Sequence, residues 1–148
     1  MKAMIKQLTK LDEIYKTILY FDSDFVPSLT ERGLNLKDYA RKLYEYAYVY
    51  TLNEKDTETA FVAFYANDFV HHTAYLAQIA VKPQFCNQGY GYALLKLAME
   101  IAKEKNMNLM KLEVCNQNQT AIEFYKRQGF IYYCDTSDTF CYMQKELV

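Results

Sequence analysis

Gln88-Gly89-Tyr90-Gly91-Tyr92-Ala93-Leu94-Leu95 holds two of the chain's four glycines and decides how the rest of the sequence is read. It lies between an apolar run that ends near Pro83 and a helical stripe of Leu94, Leu95, Ala98, Ile101 and Ala102. Glycine lets a backbone adopt positive φ and approach an anion closely. The first turn of a helix adds N–H groups without internal partners, aligned with the positive end of the macrodipole. Together these make a phosphate site out of backbone, formed by Cys86, Asn87, Gln88, Gly89, Tyr90, Gly91 and Tyr92. A tight strand-to-helix turn without a ligand uses the same two glycines, and on them alone both readings stay open. A nucleoside-triphosphate loop needs Gly-Lys-Ser/Thr, and Tyr92-Ala93 stands there instead. A dinucleotide fingerprint needs a third glycine where Leu94 stands, and belongs to the first strand of its fold.

Upstream, Leu11, Ile14, Tyr15, Ile18 and Leu19 form one amphipathic stripe, and Leu36, Tyr39, Ala40, Leu43, Tyr44 and Ala47 a second. The period then shortens. Tyr46–Leu52, Ala60–Tyr65 and Ala74–Val81 read as three successive strands. Downstream, Leu109–Val114 reads as a strand and Asn118–Gln128 as a helix stopped by Gly129. Phe130–Cys134 and Phe140–Lys145 close as a hairpin. The order α-α-β-β-β-α-β-α-β-β predicts one α/β (α+β) domain over residues 1–148.

Two blocks carry a family pattern. The first is Ile79-Ala80-Val81-x-Pro83, then Gln88-Gly89-x-Gly91-x-Ala93-Leu94-Leu95. The second is Leu112-Glu113-Val114, then Asn118-x-x-Ala121-Ile122-x-Phe124-Tyr125-x-x-x-Gly129-Phe130. In order and spacing they resemble the GCN5-related N-acetyltransferase (GNAT) family, over roughly residues 74–133. The resemblance implies a mixed, mostly antiparallel sheet flanked by helices. It also implies acetyl-CoA as co-substrate, its pyrophosphate on the glycine loop and its acetyl group passed directly to an amine. Asn118 is implied to hydrogen-bond the pantetheine arm, and Tyr125 to approach the thioester sulfur, where a phenol can protonate a departing thiolate. The strand carrying Ile79, Ala80 and Val81 is implied to splay from its neighbour and polarise the thioester carbonyl through a backbone N–H. Cys86 departs from the family pattern, which prefers a long polar side chain there. No His or carboxylate adjoins Cys86 in sequence to make it an acyl-carrying nucleophile.

The general base is not legible. Tyr75-Leu76-Ala77-Gln78 carries no carboxylate, so Tyr75, His71, His72 and water remain candidates. Tyr20, Asp22 and Asp24 mix aromatic and acidic groups between the first two helices, which suits an amine acceptor and equally a solvated loop with two caps. Many of the 15 tyrosines can simply pack.

A net charge of −1 gives no electrostatic footprint for nucleic acid or an anionic membrane. No run of about 18 apolar residues and no leader-like N-terminus occur, which predicts a cytoplasmic protein. Cys86, Cys115, Cys134 and Cys141 lack zinc-site spacing and are expected as free thiols, with no metal. The expected partner is a small-molecule or peptide amine; a homodimer is admitted but not required. Two alternatives stay open: a non-catalytic acyl-CoA-binding module, and transfer of another acyl group or to a hydroxyl.

Overall fold

The computed structural model describes residues 3–148. Its sheet has the strand order β1-β2-β3-β4-β5-β7-β6, with β1 (Ala3–Gln7), β2 (Tyr48–Glu54), β3 (Thr57–Tyr65), β4 (Thr73–Val81), β5 (Leu109–Cys115), β6 (Ile131–Asp135) and β7 (Phe140–Glu146). The helices are α1 (Leu11–Phe21), α2 (Leu36–Tyr46), α3 (Tyr90–Glu104) and α4 (Gln119–Arg127). β4 and β5 run parallel, and the other adjacent pairs are antiparallel. This is the mixed, mostly antiparallel sheet that the family resemblance implies.

Two differences have physical reasons. Strand β1 was not expected, because nearly all of it is exposed at the sheet edge, so Met4-Ile5-Lys6-Gln7 shows no half-buried alternation. Tyr46 ends α2 instead of opening β2: Asn35 caps the helix start by accepting from Asp38 N–H (3.0 Å), and at the other end Ala47 N–H still donates to Leu43 O (2.8 Å).

Each face of the sheet buries its own core. Val62, Phe64, Leu76 and Leu112 pack against Leu94, Leu95 and Ala98 of α3 and Tyr125 of α4. Phe61, Ala63 and Ala80 pack against Ile14, Ile18 and Phe21 of α1 and Leu43 of α2. Among the described residues, no helix is long and apolar enough to cross a membrane.

One irregularity positions the site. Ala63 pairs with Gln78 but Phe64 pairs with Leu76, so β4 carries one extra residue, Ala77. A bulge bends its strand and shifts side-chain alternation by one. Ala74 and Leu76 accordingly face the α3 side before the bulge, and Ile79 and Val81 after it. At the same point the parallel pairing of β4 with β5 ends, at Leu76 with Leu112. The strands continue to Val81 and Cys115, and between them the sheet is split.

Candidate active site

The loop that reads as a phosphate site lies past the end of β4. Asn87 (φ 66°) and Gly89 (φ 81°) both take the left-handed conformation, and Gly89 caps α3. Such alternation turns successive N–H groups toward one side and forms an anion-binding concavity. The first N–H of this stretch to return to a backbone carbonyl belongs to Ala93, bonded to Gly89 O (3.0 Å). Among the described residues, the N–H groups of residues 87–92 find no backbone acceptor. A Cβ on Gly91 would meet Val81 Cγ2 at 3.5 Å and Phe124 Cζ at 3.6 Å, ordinary contact for a methyl, and a larger side chain there would press on these neighbours. Tyr90 contributes its backbone to the loop, while its hydroxyl bonds to Glu54 at the end of β2 and ties the start of α3 to the sheet.

Beyond the bulge, β4 offers backbone to the split. Lys82 N–H donates to Thr59 O of the β3 strand (2.9 Å). Alternate residues of an antiparallel ladder share that direction, so Ile79 and Val81 turn their N–H and C=O groups away from β3.

The split itself is a cavity of about 110 Å³ whose lining includes Tyr75, Gln78, Ile79, Glu113, Asn118 and Tyr125. Asn118 is the N-cap of α4, its Oδ1 accepting from Ala121 N–H (3.3 Å), which fixes where this helix begins against the cavity. Tyr125 is 8% exposed, packed against Phe124 and Phe130. Burial, with a smaller effect from Tyr75, pushes its hydroxyl well above the ordinary phenol value. Tyr75 is raised as well, by burial first and then by Glu113. Both phenols therefore keep their protons at neutral pH. Each can donate and neither is a ready base.

Sequence reasoning passed over Glu113. Met110, Leu112 and Val114 of β5 face the α3 side, and Glu113 points to the opposite face, into the cavity. Its carboxylate accepts from Thr136 Oγ1 (2.6 Å) and lies 4.0 Å from Arg32 Nη2. The available signal was strand alternation: an acid at an i±1 offset from two core residues must face the other side of the sheet.

A family model described as Acetyltransferase (GNAT) family matches residues 8–130. The chain belongs to the GNAT family. An uncharacterized N-acetyltransferase of Methanocaldococcus jannaschii is 44% identical over 57 residues, which is 38% of this chain and 25% of that protein. The chain thus aligns with about a quarter of that curated relative's length. Solved GNAT structures extend the likeness across the fold. The ribosomal-protein-S18-alanine N-acetyltransferase from Escherichia coli has a TM-score of 0.77 at 22% identity, over 99% of this chain and 94% of that one. The PaiA N-acetyltransferase from Thermoplasma acidophilum, solved in complex with coenzyme A, has a TM-score of 0.74 at 20% identity, over 99% of each chain.

Around this GNAT frame the remaining residues singled out from sequence scatter. Asp22 is engaged in its own loop, accepting from Leu29 N–H (2.8 Å) and Thr30 Oγ1 (2.6 Å). Asp24 lines the cavity but pairs with Lys82 Nζ (2.8 Å), which also donates to Tyr20 O and sits over the Tyr20 ring. His71 and His72 precede β4, at the end away from the split. His71 pairs with Asp68, and the His72 ring bonds Asn106 O. Cys86 is exposed, its Sγ 3.6 Å from Lys82 O.

Proposed function

We propose that the chain is an acetyl-CoA-dependent N-acetyltransferase that passes acetyl directly to an amine. The observation that carries this is the split sheet, where Glu113, Tyr125 and Ile79 line one cavity and the glycine loop follows the end of the same strand β4. The coenzyme A in the Thermoplasma acidophilum neighbour supports the same ligand here, and the Escherichia coli enzyme, acting on a protein's alanine, supports an amine acceptor.

Acetyl-CoA supplies the thioester. The N–H groups of residues 87–92 hold its pyrophosphate, and Asn118 lies where the arm enters the split. The N–H of Ile79 or Val81 donates to the carbonyl oxygen as charge gathers on it. An amine of pKa ≈ 10.4 is neutral in about one molecule in 10^3.4 at pH 7, a cost of roughly 4.6 kcal/mol. Glu113 accepts the proton the amine loses as the C–N bond forms, directly or through one water. Tyr125 donates its proton to the sulfur as the C–S bond breaks, a role that suits a phenol kept protonated by burial.

Three results follow at this site. Titrating coenzyme A by calorimetry should show binding to wild type weakened at least about tenfold in Gly91→Val, with the Tm within a few degrees. Equal affinities would remove the loop from the site. Cys86→Arg should tighten coenzyme A through a charge-assisted phosphate contact, and Cys86→Ser should leave turnover near wild type. A Ser variant that binds normally and is dead would make Cys86 an acyl carrier. With acceptor varied, kcat/KM should climb with pH less steeply than the neutral fraction of the amine does, because Glu113 takes up the proton. Because Tyr125 is shifted upward, its proton stays in place through the ordinary phenol range, and no descending limb should appear below about pH 10. A descending limb near pH 8 would contradict the role given to Tyr125.

A further inference from the structure

The acceptor side of the split holds one charge that acetyl transfer does not itself need. Arg32, from the loop between α1 and α2, lines both the cavity at the split and a neighbouring one of about 450 Å³. Its guanidinium lies 5.0 Å from the centre of the Phe140 ring, and Nη2 stands 4.0 Å from Glu113 Oε1. That distance is too long for a hydrogen bond. A brace between loop and sheet would be expected to use the forked, bidentate geometry that Arg and carboxylate favour. Here the two charges form an ion pair 4.0 Å apart, with no hydrogen bond between them.

Their arrangement discriminates among amines. The ammonium of a simple amine approaching Glu113 meets like-charge repulsion from Arg32 a few ångströms away. An acceptor that carries its own carboxylate turns the repulsion into a second contact, ammonium on Glu113 and carboxylate on Arg32. The 4.0 Å gap sets the spacer, because a long one overshoots it. Resting on the acetyl-transfer reading above, we infer that the acceptor is a primary amine separated from a carboxylate by one or two carbons, and that Arg32 reads the carboxylate. Tyr39, Tyr65 and Tyr75 line the neighbouring cavity and offer amphipathic walls to the rest of such a molecule. Free α-amino acids have this chemistry, and so do peptides that begin with aspartate.

Matched pairs test it. Thiol release from acetyl-CoA is followed at pH 7 with L-alanine against L-alaninamide, L-phenylalanine against its amide, and Asp-Ala-amide against Asn-Ala-amide. The first two pairs probe free amino acids and the third a peptide N-terminus. In those two pairs the carboxamide has the less basic amine, so more of it is neutral and the chemistry alone favours the amide. The wild type should nevertheless prefer the carboxylate in at least one pair, by about ten- to a hundredfold in kcat/KM, the worth of one charged hydrogen bond. Arg32→Gln should bring that ratio to one or below, mainly by raising KM for the carboxylate, and Arg32→Lys should restore part of it. A wild-type ratio at or below one in every pair, or a ratio that Arg32→Gln does not move, would overturn the inference. A diamine and an amino sugar run in the same assay separate the two failures. Turnover of either one without any carboxylate preference leaves acetyl transfer standing and ends the role of Arg32. No turnover of any amine ends both.

Discussion

Glu113→Gln should lower kcat/KM for the acceptor by about 10^2 to 10^4 and leave acetyl-CoA affinity within about twofold. The amide is nearly isosteric and can still accept from Thr136, so the turn between β6 and β7 should keep its place. What is lost is the proton acceptor. The defect should therefore shrink as pH rises toward the amine's own pKa, where the acceptor arrives already neutral. Stopped-time assays from pH 6 to pH 10 read this directly. A defect that stays constant over the whole range would make Glu113 an anchor for the acceptor, with the proton going elsewhere.

Tyr125→Phe should lower kcat by about 10 to 10^3, the span of a lost acid catalyst, with acetyl-CoA affinity little changed. The ring's packing against Phe124 and Phe130 survives the substitution, so stability should shift little. A leaving group that needs no proton provides the control. With an acetyl donor whose thiolate departs readily, such as an aryl thioester, the Phe variant should recover most of its rate. A variant within threefold of wild type toward acetyl-CoA, with chemistry shown to be rate-limiting, would assign Tyr125 to packing alone.

What the sequence disclosed and what it hid divide along physical lines. The turn into α3 was readable because Gly89 takes a positive φ that few other residues adopt, and Gly91 follows in the first turn of the helix. Asn118 and Tyr125 were singled out by the family resemblance, and the structure adds that both line the cavity and that Asn118 caps its helix. The bulge at Ala77 was not readable, since alanine is compatible with every strand position. Yet that bulge coincides with the loss of pairing to β5 and with the opening of the cavity. Glu113 was hidden because its neighbours Leu112 and Val114 make the segment look like a buried strand, and only the two-sided sheet gives its acid a separate face. Asp22 and Asp24 show the converse: acids between helices looked available from sequence, and loop hydrogen bonds and Lys82 engage them. Edge strand β1 carries no core to betray it.

The central claim is direct transfer from acetyl-CoA to an amine, and product analysis by mass spectrometry tests it most closely. Wild type is incubated with acetyl-CoA and a panel of amino acids, peptides, diamines and amino sugars. The account predicts an N-acetylated amine equimolar with released coenzyme A, while the intact protein keeps its unmodified mass. Coenzyme A released no faster with any amine than without one, or an acetyl group found on the protein as a competent intermediate, would contradict it.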